Sequence, residues 1–294
     1  MIKIAVQSQK GGVGKTTIAL LLAKFAAVHQ GLRPCLLDFD FIGAGIANLL
    51  ALEEKPSDYV ERYFLDWHPR DYDVRKLLGR YTDRQLGRQE IGLVLNMGNG
   101  LPPGGKEKKE EIRLQDDMLG MVANEPHYQE IHEKTKVLFD LLEKQGCGIA
   151  IVDCHPGLGF VAQAVRPLVD LNIYLATPNR TDCFGLLREV QLRKLDNRRS
   201  LLIVNRAEPP VIDLRSLRRL LKEDDVLGPA GTAVVAGAKY MASAAPHVAS
   251  VAFIAESEQL RRRFYIGTKG LLPPVDPGEF DFCGKAMALL KQKE

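Results

Sequence analysis

Gln9-Lys10-Gly11-Gly12-Val13-Gly14-Lys15-Thr16-Thr17 stands directly after the apolar, β-branched run 2–7 and opens into the apolar helical stretch 18–27. Glycines let a backbone turn tightly enough for successive N–H groups to point inward, and a helix starting at the turn adds the positive end of its dipole. Such a turn cradles phosphate. Lys15 is then placed to reach β- and γ-phosphates, and the Thr16 hydroxyl to ligate Mg²⁺. The order strand, glycine-rich loop, helix also sets the fold class, because it is the first half of a βαβ unit.

The rest of the chain continues in that style. Short apolar runs at 35–38, 92–96, 149–153, 172–177, 201–205 and 251–254 read as strands, and helical periodicity at 16–30, 127–145, 184–195, 213–222 and 256–265 reads as helices between them. This alternation predicts an α/β fold of three layers, a mostly parallel twisted sheet flanked by helices. The Gly/Pro-rich, then charged, stretch 98–111 interrupts it without changing the style on either side. One domain spanning 1–294 is expected, with an insertion around 98–126 whose loop leads into a polar helix. The stretch 227–237 reads equally as a loop or as a loop with a short strand.

Further chemistry sits at strand ends, where ligands bind such sheets. Asp38 and Asp40 close the second run, on one face by strand alternation with Phe39 on the other. Asp153 ends the run 149–153, the position from which a carboxylate holds Mg²⁺ through water, complementing Thr16. His155 has no second His or Cys at ligand spacing and reads as a local structural residue. Asn205 ends another run; its amide suits the edge of adenine, and equally the start of a turn.

The loop departs from the common form G-x-x-x-x-G-K-[ST], with Gln9 in place of the first glycine and the extra lysine Lys10 before the glycine pair. In this form, K-G-G-x-G-K-[ST]-T, it resembles the deviant Walker A loop of the MinD/ParA family of P-loop ATPases. Gln9 is similar to the ParA branch, Asp38-Phe39-Asp40 to MinD, and Asp153-x-x-Pro156-Gly157 to both. The resemblance implies ATP as ligand, bound by Gly11, Gly12, Val13, Gly14, Lys15, Thr16 and Thr17, with Asn205 reading the base. It implies a Mg²⁺ shell built from Thr16, Asp38 and Asp153, and a catalytic set of Lys10, Lys15 and Asp40. In that set Asp40 positions the attacking water, and Lys10 crosses the interface of an ATP-dependent homodimer. Asp153, Pro156 and Gly157 become a switch that senses the γ-phosphate. The stretch 253–256 lacks the proline of the family pattern, so no residue is carried over from it.

Slow, Mg²⁺-dependent ATP hydrolysis, stimulated by a partner protein, is the activity that follows. Its cargo is less legible. The net charge of +3 gives no overall pull toward nucleic acid. Ten Arg/Lys against four acids between Arg188 and Lys222, with Arg261-Arg262-Arg263 beyond, nevertheless match a surface for non-specific DNA and so a partitioning or positioning ATPase. Solvated helix faces have the same composition. The C-terminal stretch 280–294 could be an amphipathic membrane helix of the MinD kind; packing onto the core is the stronger reading. A metalloprotein-maturation or client-delivery ATPase is the third reading, weakened by the absence of C-x-x-C. The five cysteines, an odd number mostly in apolar surroundings, are expected to be buried free thiols. The absence of a long apolar run or signal-peptide pattern gives a cytoplasmic expectation.

Overall fold

Runs that are apolar at every position are what a parallel strand needs when both of its faces are covered. Pro34-Cys35-Leu36-Leu37-Asp38-Phe39, Ile149-Ala150-Ile151-Val152-Asp153-Cys154 and Leu171-Asn172-Ile173-Tyr174-Leu175-Ala176 are buried at all six positions. The computed structural model describes residues 1–41, 43, 46, 49–50, 56–82, 86–97, 108–123, 127–157, 159–177, 200–207, 250–255 and 281–291. The helices expected at 184–195, 213–222 and 256–265, and the stretch 227–237, lie outside the described residues.

Among these residues, eight strands form one sheet: β1 (Ile2–Ser8), β2 (Pro34–Phe39), β3 (Leu78–Tyr81), β4 (Ile91–Val94), β5 (Ile149–Cys154), β6 (Leu171–Ala176), β7 (Ser200–Ala207) and β8 (Ser250–Ala255). Their spatial order is β3-β4-β2-β5-β1-β6-β7-β8. All neighbours pair in parallel except β3 with β4. The mostly parallel expectation holds, and β3 adds an antiparallel edge that the sequence pattern did not show. The glycine-rich loop follows central β1, and β5 beside it brings Asp153 into register with both Val6 of β1 and Asp38 of β2.

Strand alternation sends side chains into two cores, one on each face. Ile4, Val6, Leu36, Ile151, Ile173 and Ile203 meet α1 (Lys15–Gln30) on one face. The other face packs Ala5, Leu37, Val152 and Val204 under α2 (Val60–Leu65), α3 (Lys108–Ala123), α4 (Tyr128–Lys144) and α5 (Phe160–Val165). This is the expected three-layer arrangement. In α4 the buried residues Ile131, Leu138 and Leu142 recur on one face of the helix, as the periodicity required. α3, within the stretch 98–126, has Met118 and Met121 buried in the same core.

α6 (Asp281–Lys291) settles the role of the C-terminal stretch within the fold. Phe282, Cys283, Ala286 and Met287 are buried against the α1 side of the sheet, so its apolar face is already occupied by the protein. No helix among the described residues is long and apolar enough to cross a membrane. Cys35, Cys147, Cys154 and Cys283 are buried free thiols, as expected; Cys183 lies outside the described residues.

Candidate functional site

The phosphate loop is shaped by two left-handed glycines and held from across the sheet. Gly12 has φ +74° and Gly14, immediately before α1, has φ +99°. A Cβ on Gly14 would sit 2.5 Å from the Asn205 amide nitrogen, so glycine is required there for both reasons. Asn205 Nδ2 donates to the Val13 carbonyl at 2.8 Å, and Arg206 Nη2 donates to the Gly12 carbonyl at 2.9 Å. With these carbonyls engaged by β7, the loop's N–H groups are left for a ligand. Asn205 Oδ1 accepts from the Arg206 N–H at 3.0 Å, and Arg206 itself sits at φ 56°. Strained backbone of this kind concentrates at functional sites.

Asn205, expected to read the base, contacts the phosphate loop through its amide nitrogen. Arg206, one of the ten basic residues between Arg188 and Lys222, is also engaged with that loop. The other nine lie outside the described residues, as do Arg261, Arg262 and Arg263.

Lys15 and Thr16 open α1 over the end of β5. Lys15 is buried, and Thr16 Oγ1 donates to Asp153 Oδ2 at 2.5 Å. Asp153 is fully buried, and its Oδ1 has no hydrogen-bond partner among the described residues. Burial pushes its carboxyl up to about 6 and the Asp40 charge adds to this, while Lys15 and the Thr16 hydroxyl pull the other way. A hydroxyl on one carboxylate oxygen and an orphaned second oxygen, in a buried and electron-rich corner, fit a hard cation. Thr17 continues the first turn of α1, and Lys10 is exposed on the loop.

Asp38, expected to support a Mg²⁺ shell, is held from several sides within the protein. Both its oxygens are taken by the chain that follows it: Oδ1 accepts from the Asp40 N–H at 3.2 Å and from Asn96 Nδ2 at 3.1 Å, and Oδ2 accepts from the Ile46 N–H at 3.1 Å. Burial, then the neighbouring Asp153 charge, raises its carboxyl well above the usual range against the pull of those donors. Asp38 therefore fixes the turn carrying Asp40 and Gly43. Asn96, just beyond β4, is its partner in this: Nδ2 also donates to the carbonyls of Asp40 and Gly43. Behind Asn96, the Met97 N–H donates at 2.9 Å to Glu61 of α2, a buried carboxyl that desolvation lifts to about 7.

Asp40 lies past the end of β2, partly exposed. Its Oδ1 accepts from the Gly43 N–H at 3.2 Å and lies 2.7 Å from His155 Nδ1. Burial works against ionisation here, but the His155 contact and charge, with Lys15 and the Gly43 N–H, outweigh it and hold the carboxyl below its ordinary value. The segment 153–157 is anchored in turn, since the Gly157 N–H donates to the Ser8 carbonyl at 3.0 Å. Pro156 Cγ lies 3.9 Å from where a Cβ on Gly11 would be. Lys15, Thr16, Asp40 and Asp153 thus form one cluster with the loop. Sequence reading missed Asn96, Glu61 and the true partner of His155.

Residues 1–75 match the model of a family described as ParA, NUBPL iron-transfer P-loop NTPase. The cytosolic Fe-S cluster assembly factor NUBP2 homolog of Dictyostelium discoideum is 39% identical over 77 residues, 26% of this chain, and the match spans only 28% of that protein's length. An McdA–ATP complex from Cyanothece superposes with a TM-score of 0.63 at 17% identity, covering 98% of this chain and 96% of that one. MinD of Pyrococcus horikoshii with Mg-ADP gives 0.59 at 17% identity, covering 100% and 96%. The sequence match takes in the phosphate loop and Asp38–Asp40; the structural likeness extends over the whole fold. Over its first 75 residues the chain is thus similar to the ParA family of P-loop NTPases, and its fold is the one seen in the McdA and MinD structures.

Proposed function

We propose that this protein is an ATP-dependent dimerisation switch that binds MgATP and hydrolyses it slowly. The observation that carries the reading is the meeting of Lys15, the Thr16–Asp153 pair and Asp40 at the mouth of one phosphate loop. Phosphoryl transfer requires mainly positioning and charge neutralisation, and these residues supply both. Loop N–H groups and Lys15 bind the phosphate oxygens. Thr16 and Asp153, with Asp38 behind them, are the residues that would hold Mg²⁺, whose charge offsets that of the phosphates during transfer. Asp40, held ionised, accepts a hydrogen bond from the attacking water and orients it in line. Lys10, exposed on the loop, reaches a second protomer's phosphates in this reading, which makes turnover depend on dimerisation and on a stimulating partner protein. Asp153, Pro156 and Gly157 report the γ-phosphate to the rest of the molecule.

Partitioning or positioning of DNA, through the basic residues from Arg188 to Lys222, is the cellular task we infer, in a single ATPase domain with an insertion around 98–126. One observation favours a second reading: the sequence match over residues 1–75 is to iron-transfer and Fe-S assembly proteins, which points to client delivery. Among the described residues no group of three or more His, Cys, Asp or Glu could hold a metal ion.

Phosphate release, together with sedimentation in ATP and in ADP, tests the core reading on wild type, Lys10→Ala and Asp40→Ala. ATP should dimerise the wild type and Asp40→Ala, with hydrolysis lost in the latter. Lys10→Ala should lose both dimer and turnover. A Lys10→Ala protein that dimerises and hydrolyses normally ends the cross-dimer reading. Salt-titrated gel shifts with ATP separate the tasks: no DNA binding at low salt rules out the first.

A further inference from the structure

We propose that His155 is a positioning residue for hydrolysis, one that fixes which oxygen of Asp40 meets the attacking water. The inference rests on the ATPase reading above. A carboxylate has two equivalent oxygens and a soft final torsion, so an aspartate on a loop does not by itself present one oxygen in one direction. Here the symmetry is broken. The Gly43 N–H and His155 Nδ1 both converge on Oδ1, at 3.2 and 2.7 Å. Oδ2 receives no hydrogen bond from the described residues, and a Cβ on Gly43 would lie 3.3 Å from it. The backbone beneath is fixed separately, through Asp38 and Asn96. His155 therefore locks the carboxylate and leaves Oδ2 as the acceptor that faces water.

The tautomer follows from the same contact. An ionised carboxylate only accepts, so the Nδ1 facing it carries the proton, and it does so whether the ring is neutral or charged. The placement in the chain adds a coupling. His155 lies between Asp153, which binds Thr16, and Gly157, whose N–H is tied to the end of β1. Any shift of this segment in response to the γ-phosphate moves the Nδ1 donor relative to Asp40. Water orientation and phosphate sensing then share one side chain.

The test compares wild type with His155→Ala, His155→Asn and Asp40→Ala. Asparagine keeps an N–H donor close to the Nδ1 position; alanine removes it. We expect His155→Ala to lower kcat about tenfold or more, as loss of positioning near the reacting atoms does. KM and the affinity for a fluorescent ATP analogue should stay within about twofold, since uniform binding is untouched. His155→Asn should recover most of the rate. Independently of turnover, long-range ¹H–¹⁵N spectra of histidine-labelled protein without nucleotide should show His155 protonated at Nδ1, a state weakened in Asp40→Ala. Wild-type kcat in His155→Ala, equal defects in the alanine and asparagine variants, or an unprotonated Nδ1 would each overturn the proposal. If wild type and Asp40→Ala release phosphate at the same background rate, the ATPase reading itself fails and takes this inference with it. Loss of hydrolysis in Asp40→Ala but not in His155→Ala sinks the inference alone.

Discussion

The two ends of the parallel strands are built to opposite standards. At the end where β2 and β5 start, Arg33, Cys35, Glu90 and Cys147 form a closed set. The Gly148 N–H donates to the Arg33 carbonyl at 2.8 Å, Arg33 Nη1 donates to the Gln145 carbonyl at 2.9 Å, and Arg33 Nη2 pairs with Glu90 at 2.9 Å. The Cys35 and Cys147 thiols hydrogen-bond to one another, which raises the first and lowers the second. At the other end Asp38 and Asp153 are fully buried side by side, and Asp153 Oδ1 has no partner among the described residues. Buried acids without full compensation cost stability. The fold thus completes itself where it has only to stand, and keeps unspent electrostatic capacity where it has to bind.

The strongest attempt to break this contrast is Gly14→Ala. A Cβ at φ +99° and 2.5 Å from Asn205 must push the loop off β7. ATP affinity, measured by fluorescent-analogue titration, should fall by about 100-fold or more, alongside strain of about 1–3 kcal/mol in the fold. Asn96→Ala comes next. It removes one donor from the buried Asp38 and the staple from the Asp40 turn, so denaturant unfolding should show a loss of about 2–3 kcal/mol and kcat should drop with it. A variant that lost stability but kept kcat would show the turn to be held without Asn96.

Glu61→Gln runs in the opposite direction. The Glu61 carboxyl titrates near 7 in the folded protein against an ordinary 4.5, so the folded state holds the extra proton between those values. Its stabilisation is full below about 4.5 and declines as pH rises toward 7. Glutamine removes that decline. Thermal melts at pH 8 should show a gain of order 1–3 kcal/mol, and the stability profile between pH 5 and 8 should flatten. The smallest effect is expected at the closed end: Cys147→Ala should change stability by about 1 kcal/mol or less and leave ATP affinity unaltered. A large loss of affinity there would erase the distinction between the two ends.

What was legible in the sequence divides along chemical lines. The phosphate loop could be read because its glycines and lysine are required one by one within nine residues. Asp153 could be read because a carboxylate at the end of an apolar run is rare without a reason. β3 could not, since Leu78-Gly79-Arg80-Tyr81 is too short to show alternation and exists as a strand only through pairing with β4. α2 and α5, six residues each, carry less than two turns of periodicity. Asn96 ends its apolar run much as Asn205 does, and that parallel was a usable signal. Glu61 and His155 gave none: their partners, Met97 and Asp40, are 36 and 115 residues away.

The two side chains of β7 that hold the phosphate loop have a consequence in time. The loop is made well before β7, yet its Gly12 and Val13 carbonyls are gripped by residues 194 and 192 positions later. Contacts of such separation form late, because the intervening loop must close first. A growing chain that has not yet delivered β7 therefore has the glycine motif but not its shape. If the loop holds ATP as proposed, nucleotide binding becomes a mark of completed folding, and a nascent or truncated copy would not engage the nucleotide pool before the sheet that answers to it is in place.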